Sequence, residues 1–403
     1  METYNNKNLT ESIDSDKAVV CLLSDRDFVQ RIIKAKYSHP MALFFFMSRD
    51  MDRALKKIRM EMALPPYEIQ EEIGSKIGLN NICSRLDIPV NESITIEKSK
   101  RKIQEAFHTC WKLLGLPFII QGNLGVSGED TFKIDSYKEF SRHWKKLGDK
   151  FKASRYIKNN IPLSVHICIT KHKSYYEGPF LQLIGFKELA LNPYQFSGND
   201  TNQTLITDSI KKKIYELSMK LTTYAKTKGY SGILGIDFLW DKTNNKVIVQ
   251  EINSRLVGLT RLLTGIQKEQ NIFPHLINHI NNFFPFYKNN ALKNRKIDVS
   301  KHSYSQLYIA HNNEKDLKIK KYLLPGIYKA VNSRLKRTKN SLCISDMATD
   351  EVLINFSAYK GTRLHTDQIF SKIILKKSVL LNGKYELNKN ILNIIQVIKK
   401  EIS

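Results

Sequence analysis

The chain has 403 residues, of which 42% are hydrophobic and 26% charged, and this composition predicts a globular protein of two or three domains. Its net charge of +25 indicates either a polyanion-binding surface or a lysine-rich bias, and the basic runs lack the interleaved aromatic residues of a nucleic-acid-binding protein. The longest apolar run, residues 41–47, is too short to cross a bilayer, and five scattered cysteines without a C-x-x-C pair argue against a disulfide or zinc framework.

The first 75 residues predict a leader and a small α/β unit. Residues 1–16 are polar without an apolar core, so we expect a disordered leader, no secretory signal and a cytoplasmic protein. An apolar strand at residues 18–23, an amphipathic helix at 27–35 and a strand at 41–46 follow one another. This β-α-β order indicates a small parallel sheet.

Hydrophobic spacing and turn residues mark further elements through the rest of the chain. Helices are predicted at residues 76–86, 100–114, 136–147 and 208–228, and Asp135 or Ser136 can cap the third. Strands are predicted at residues 117–121, 154–157, 164–170 and 180–189. A polar segment at 285–296 precedes short strands around residues 324–328 and a closing helix at 387–401.

Two segments near the middle of the chain, GILGIDFLW and VIVQEINSR, place an aspartate opposite a glutamate. The residues between them, DKTNNK, are polar turn formers, so the pair predicts two antiparallel strands joined by a short loop. If the loop closes symmetrically, Trp240 faces Ile248. Asp237 then faces Glu251, and Asn253 lies two residues along on the same face.

This opposition of two acids has a chemical meaning. Directly opposed residues have Cβ atoms only ~4.5–5.5 Å apart, where like charges are unfavourable. Two carboxylates and an amide oxygen at one point therefore predict a site for a hard divalent cation.

The two strands resemble the metal-binding hairpin of the ATP-grasp ligase superfamily, in which a strand bearing an Asp is followed by a strand ending in E-x-N. The resemblance covers roughly residues 18–286 and extends more loosely to the C-terminus. It implies that Asp237, Glu251 and Asn253 bind the magnesium ions that bridge the ATP phosphates, with Mn²⁺ as an alternative metal. Arg255 matches the Arg of the carboxylase-like branch. It is implied, with Glu251, as a catalytic residue that helps to hold the anionic substrate or the transferring phosphoryl group.

A second group of matches lies before the hairpin. Lys76 stands eleven residues before Asp87, where the family has a nucleotide-binding Lys ahead of a G-[IV]-P step. The segment PFIIQGNLGVSGEDTF resembles the strand and glycine-rich flap that close over the β- and γ-phosphates. The resemblance implies that Gly125, Ser127 and Gly128 supply backbone N–H groups to those phosphates.

The adenine site is implied by shorter matches. The segment SRYI resembles the linker whose backbone hydrogen-bonds adenine, which assigns Ser154, Tyr156 and Ile157 to the nucleotide site. Ile119 and Leu239 resemble the apolar residues above and below the ring.

Several positions depart from the family pattern. Gln121 stands where the strand before the flap usually ends in a second phosphate-binding Lys. Glutamine donates hydrogen bonds but carries no charge, so Gln121 is predicted to contact the nucleotide as a neutral group. Ser154 and Pro162 stand where Glu is usual, and Asp87 replaces the Gly of the G-[IV]-P step.

The resemblance implies an α/β (α+β) chain with an ATP-grasp fold. The implied parts are a Rossmann-like pre-ATP-grasp domain at residues 17–75, an ATP-grasp domain at 76–286 with a flap subdomain at about 115–153, and a strand-rich C-terminal domain at 297–403.

The implied activity is ATP-dependent ligation of a carboxylate to an amine through an acylphosphate. The flap and tail resemble a carboxylase-shaped branch of specialised metabolism that includes the pheganomycin peptide ligase and the butirosin-pathway amino acid–carrier-protein ligase. Two alternatives stay open: loading of an amino acid onto a carrier-protein thiol, and a nucleotide-binding regulatory protein without ligase activity. Expected partners are small-molecule carboxylates and amines, an acidic carrier protein or a second copy of the chain, and no membrane.

Overall fold

The computed structural model describes residues 15–34, 41–123, 128, 130–285, 292, 294–331 and 334–402. The predicted leader lies outside the described residues, apart from residues 15 and 16, which begin the first helix. The predicted flap residues Gly125 and Ser127 also lie outside them.

The N-terminal segment is mainly helical. It consists of α1 (Ser15–Ser24), α2 (Arg26–Lys34), β1 (Met41–Ala42), α3 (Arg49–Lys57), β2 (Glu61–Met62) and α4 (Tyr67–Gly74). The strand predicted at residues 18–23 is wrong, because these residues lie in α1, where Leu23 packs in one apolar cluster with Met51 and Leu55 of α3. A short apolar run does not by itself distinguish a strand from a buried helix. The predicted parallel sheet is reduced to the two-residue pairing of β1 with β2.

A four-stranded antiparallel sheet follows, in the order β3-β6-β4-β5. The elements of this part are α5 (Leu79–Arg85), β3 (Ser93–Glu97), α6 (Ile103–Leu114), β4 (Phe118–Gly122), β5 (Thr131–Ile134), α7 (Tyr137–Trp144) and β6 (Lys150–Arg155). Phe118 and Phe151 on one face of the sheet pack with Phe140 of α7 in an apolar core. The Ser136 hydroxyl caps α7 as predicted, accepting the Glu139 N–H at 3.3 Å.

A ten-stranded antiparallel sheet forms the body of the molecule, in the order β11-β10-β7-β8-β9-β12-β18-β16-β14-β15. Its first part contains β7 (Asn160–Ile169), β8 (Ser174–Ile184), β9 (Phe196–Asp200), α8 (Asp208–Thr227), β10 (Gly232–Asp241), β11 (Lys246–Asn253), α9 (Leu259–Glu269) and α10 (His275–Phe283). Its second part contains β12 (Ser305–Ala310), β13 (Leu317–Lys318), β14 (Gly326–Val331), β15 (Arg334–Lys339), β16 (Val352–Phe356), β17 (Arg363–Leu364), β18 (Ile369–Leu375) and α11 (Lys389–Ile402). β13 and β17 pair separately.

Helices cover both faces of the large sheet. Ile214 of α8 and Ile395 of α11 belong to the larger apolar core, and Leu262 of α9 belongs to a second core that includes Phe180 and Ile374. The sheet continues across the predicted start of the C-terminal domain through the pairing of β9 with β12. The division into domains stays a prediction. No helix within the described ranges is long and apolar enough to cross a membrane.

Candidate functional site

The predicted hairpin is formed by β10 and β11, and it opposes Asp237 to Glu251 as predicted. The expected pairing of Trp240 with Ile248 is wrong, because a register shift after Asp237 puts Trp240 opposite Val247. Phe238 pairs with Val249, so Gln250 is the extra residue of a β-bulge. A bulge of one residue re-aims a side chain, and the Gln250 amide donates to Gln121 Oε1 of β4 at 3.2 Å.

The Asp237 carboxylate is held by two amides. Gln182 Nε2 donates to Oδ1 at 2.8 Å and Asn253 Nδ2 donates to Oδ2 at 2.9 Å. Burial and the neighbouring Glu251 carboxylate raise the pKa of Asp237 to about 7, while the two amides and Arg255 act in the opposite direction. The protein thus keeps two acids together at a cost, as expected of a group of oxygen atoms arranged for a hard cation.

Arg255 lies at the end of this group. Its Nη2 donates to Asn253 Oδ1 at 2.8 Å, its Nη1 donates to the Leu256 carbonyl at 3.2 Å, and its guanidinium lies 5.3 Å from the centre of the Phe45 ring. Burial lowers the pKa of Arg255, and the charges of Glu251 and Asp237 oppose that effect. Arg255 therefore follows Asn253 and Asp237 in a continuous chain of hydrogen bonds.

Lys76 lies beside the same acids. Its ammonium is 3.7 Å from Glu251 Oε1, and only 7% of the residue is exposed. The predicted helix at residues 76–86 begins only at Leu79, so Lys76 lies in the preceding turn, where the Ile77 N–H donates to Asn123 Oδ1 at 3.2 Å. Asp87 has φ of 49°, a left-handed conformation that Asp adopts more readily than most residues.

The four-stranded sheet brings several predicted nucleotide residues to one face. Phe118, Ile120, Phe151 and Ala153 pack in the core, so the alternate residues of β4 and β6 face the other way. On that face Ile119 pairs with Ser154 and Gln121 pairs with Lys152. The Gln121 amide also donates to Thr131 Oγ1 at 3.3 Å.

The remaining predicted residues lie outside the four-stranded sheet or at its end. Tyr156 and Ile157 are half-buried just after β6, and the Ile157 carbonyl accepts the Asn160 amide at 2.7 Å. Leu239 is half-buried on β10 of the other sheet.

Gly128 is the predicted flap residue that the structure describes. Its φ is +80°, and a Cβ there would lie 2.0 Å from the Tyr194 carbonyl oxygen. Its own carbonyl accepts the Asn192 amide at 3.3 Å. Glycine at this position lets the end of the flap lie directly on the segment before β9.

Sequence reasoning missed three polar residues of the site: Gln182, Gln250 and Lys152. Gln182 faces Asp237 from a strand that is not adjacent in sequence, and Gln250 faces Gln121 only because of the bulge. Lys152 could have been found, because it alternates with Ser154 along the strand. Within the described residues no group of three or more His, Cys, Asp or Glu side chains is placed to hold a metal, so the candidate site consists of two carboxylates and one amide.

No protein-family model matches the chain, and no curated protein matches it significantly. Solved structures do match. The biotin carboxylase domain dimer of Hydrogenobacter thermophilus 2-oxoglutarate carboxylase, in complex with MgADP, ADP and bicarbonate, has a TM-score of 0.61 at 15% identity, covering 88% of this chain and 74% of its own. Carboxyaminoimidazole ribonucleotide synthase from Aspergillus clavatus, in complex with ATP, has a TM-score of 0.59 at 12% identity, covering 94% and 86%.

The chain has the ATP-grasp fold. N5-carboxyaminoimidazole ribonucleotide synthetase from Thermotoga maritima also has a similar structure, with a TM-score of 0.56 at 11% identity, covering 93% of this chain and 84% of its own. The ATP-grasp fold predicted from the hairpin and its surrounding motifs is therefore confirmed. At these identities the similarity is one of fold.

Proposed function

We propose that the protein is an ATP-dependent ligase that joins a carboxylate to an amine. The observation that carries the proposal is the chain of contacts from Lys76 through Glu251 and Asp237 to Asn253 and Arg255, on a fold shared with structures that contain ATP or MgADP. Opposed half-buried acids without a cation would only lower the stability of the hairpin.

The donor set fits magnesium. Asp237 and Glu251 offer two carboxylates, and the Asn253 amide oxygen, which accepts from Arg255 in this structure, is a further hard ligand of the kind that Mg²⁺ and Mn²⁺ accept. When bound, the metal would neutralise charge on the ATP phosphates. We propose that Lys76, in the turn before α5, holds the same phosphates, and that the face with Ile119 and Ser154 receives adenine together with Tyr156 and Ile157 just after β6.

A cleft of about 300 Å³ lies beside the acids and is suited to a small substrate. Glu251, Asn253 and Arg255 line it from the hairpin side, and Phe46 and Tyr67 line it from the N-terminal segment. Arg255 is the cation of this cleft that can hold a substrate carboxylate, because a guanidinium pairs with a carboxylate through two parallel hydrogen bonds.

The proposed reaction has two steps. A substrate carboxylate oxygen bonds to the γ-phosphorus of ATP while the bond to the bridging oxygen breaks, which releases ADP and leaves an acylphosphate. An amine nitrogen then bonds to the acyl carbon, phosphate leaves, and the nitrogen loses a proton. The work of Arg255 and Lys76 is to position reactants and stabilise developing charge.

Two alternatives keep the same site. In the first alternative, the acceptor is the thiol of a carrier protein. A chain of net charge +25 would attract such a carrier if the carrier is acidic. In the other the protein binds nucleotide without ligation, and the neutral Gln121 favours it. Because the Hydrogenobacter structure is a dimer, we also propose that this protein forms a homodimer.

A coupled ADP-release screen over amino acids, dipeptides and carrier protein tests the proposal, with mass spectrometry of the product. We expect ADP release that depends on an added acid and amine. Nucleotide binding without turnover on any substrate would support the regulatory alternative, and a product on a carrier thiol would support the loading reaction.

Magnesium-dependent nucleotide binding is expected to weaken below pH 7. The pKa of Asp237 is raised to about 7 in the metal-free protein, so its carboxyl is increasingly neutral below that pH and a proton competes with the metal. We expect the affinity for MgADP to fall by about tenfold per pH unit below 7. Calorimetric titration with MgADP from pH 5.5 to 8 measures this affinity, and Asp237→Asn should remove its dependence on pH. A flat profile in the wild-type protein would contradict this assignment.

Arg255→Lys is expected to lower kcat about 100-fold while leaving adenosine binding unchanged. Lysine is a point charge and cannot reproduce the two bonds to Asn253 and the Leu256 carbonyl while presenting a planar pair of donors to substrate. Steady-state ADP release and adenosine titration measure the two effects. Arg85→Lys, at an exposed position on α5, is the control. Equal losses in both variants would remove Arg255 from the mechanism.

A further inference from the structure

Lys152 is a buried lysine to which the described residues offer no hydrogen bond or ion pair. It lies in β6 between Phe151 and Ala153, which both face the apolar core, so its side chain lies on the opposite face with Ser154. Only 4% of the residue is exposed. A largely buried ammonium with no partner among the described residues costs free energy in the free protein, and a bound anion would offset that cost.

The surroundings of Lys152 are those of the phosphate end of the proposed nucleotide site. Burial, with a smaller contribution from the charge of Lys76, lowers the pKa of Lys152 to about 8, although Cys83 and Glu251 act in the opposite direction. Burial raises the pKa of Cys83 to about 11, so that thiol is neutral near pH 7. Glu251 already lies 3.7 Å from Lys76. Within the described residues, Glu251 therefore interacts with both of these buried lysines.

The position of Lys152 along the sheet is an independent reason to expect it near the phosphates rather than near the adenine. Ile119 and Ser154 form one cross-strand pair, and Gln121 and Lys152 form the pair two residues along. Two residues of a strand span about 7 Å, so the cation lies farther along the same face than the proposed adenine contacts. Gln121 itself is bonded to Thr131 and Gln250, which leaves the charge of this pair to Lys152.

We propose that Lys152 binds the polyphosphate of the nucleotide together with Lys76, and so supplies from β6 the positive charge that Gln121 lacks. The proposal rests on the proposed function, since it concerns the same nucleotide. It assigns to a neighbouring strand the charge that β4 does not carry.

Lys152→Met tests the assignment, because methionine keeps an unbranched apolar stem and removes the charge. We expect the affinity for MgADP and for ATP to fall about 10- to 100-fold, while adenosine binds as in the wild-type protein. Lys150→Met is the matched control on the same strand: Lys150 is exposed and pairs with Glu97 at 3.2 Å, so its loss should leave all three affinities unchanged.

A second experiment moves the positive charge of Lys152 to another residue. The double variant Gln121→Lys/Lys152→Gln moves the ammonium from β6 to the directly paired position on β4. We expect MgADP affinity to return to within about tenfold of the wild-type value, because cross-strand neighbours have Cβ atoms only ~4.5–5.5 Å apart. The free Lys152→Met protein should melt at the same temperature as the wild type or higher, since an unpaired buried charge has been removed.

The outcomes separate the two proposals. If the wild-type protein binds neither adenosine nor MgADP, the proposed function fails. If the wild type binds MgADP and Lys152→Met binds it equally well, the assignment of Lys152 is overturned and the proposed function stands. A Lys152→Met protein that does not fold would show that the ammonium serves the free structure, and would overturn the assignment as well.

Discussion

Glu251→Gln is expected to abolish ATP turnover while leaving the fold intact. The substitution keeps the shape of the side chain but removes one of two opposed carboxylates and the ion-pair partner of Lys76. Loss of a metal ligand at the transferring phosphate removes several kcal/mol of charge stabilisation, so we expect ADP release to fall about a thousandfold. Relief of the repulsion with Asp237 should leave thermal stability unchanged or raised, because Glu251 raises the pKa of Asp237.

Steady-state ADP release and thermal unfolding by circular dichroism measure the two effects in the Glu251→Gln protein. Glu216→Gln is the matched control, because Glu216 is exposed on α8 and the substitution removes the same charge outside the candidate site. Activity within tenfold of the wild type in Glu251→Gln would mean that the metal is held elsewhere.

Gly198→Ala is expected to destabilise the fold by about 3–5 kcal/mol. Gly198 lies in β9 with φ of +135°, and a Cβ there would lie 2.0 Å from the Gln306 carbonyl oxygen and 3.1 Å from the Leu307 Cα. Both contacts are to the backbone of β12, so no side-chain rotation can relieve them. Because β9 and β12 join the two parts of the ten-stranded sheet, the strain acts on the whole fold.

Urea unfolding followed by tryptophan fluorescence measures the loss of stability. Gly148→Ala is the control, since a Cβ at Gly148 would meet no atom within 4 Å, and it should change the free energy of unfolding by less than about 0.5 kcal/mol. A loss below 1 kcal/mol in Gly198→Ala would show that the backbones of β9 and β12 can move apart with little strain, which would contradict the prediction.

Local patterns in the sequence predicted the hairpin well and the N-terminal segment poorly. The opposition of Asp237 and Glu251 follows from turn chemistry and the two-residue period of strands, and the structure confirms it. The bulge at Gln250 could not be predicted, because one extra residue leaves the hydrophobic pattern on either side unchanged. The apolar residues of α1 suited a strand equally well, and only their packing against α3 selects the helix.

The candidate site was predicted where short sequence motifs contain its residues. Asp237, Asn253 and Arg255 form the expected group, and Lys76 reaches Glu251 across more than 170 residues of chain. Gln182 and Lys152 enter through pairing between distant strands, which no local pattern contains. The roles of the predicted residues stay predictions until the variants are measured.

The extra residue at Gln250 gives β11 a second attachment. Its amide bonds to Gln121 of the four-stranded sheet, while Glu251, the next residue along, faces Asp237 within the ten-stranded sheet. A rotation of the smaller sheet away from the larger one would stretch that hydrogen bond and pull on the residue next to Glu251. Movement of the four-stranded sheet is thus mechanically linked to the position of the Glu251 carboxylate through the peptide unit that joins Gln250 to Glu251.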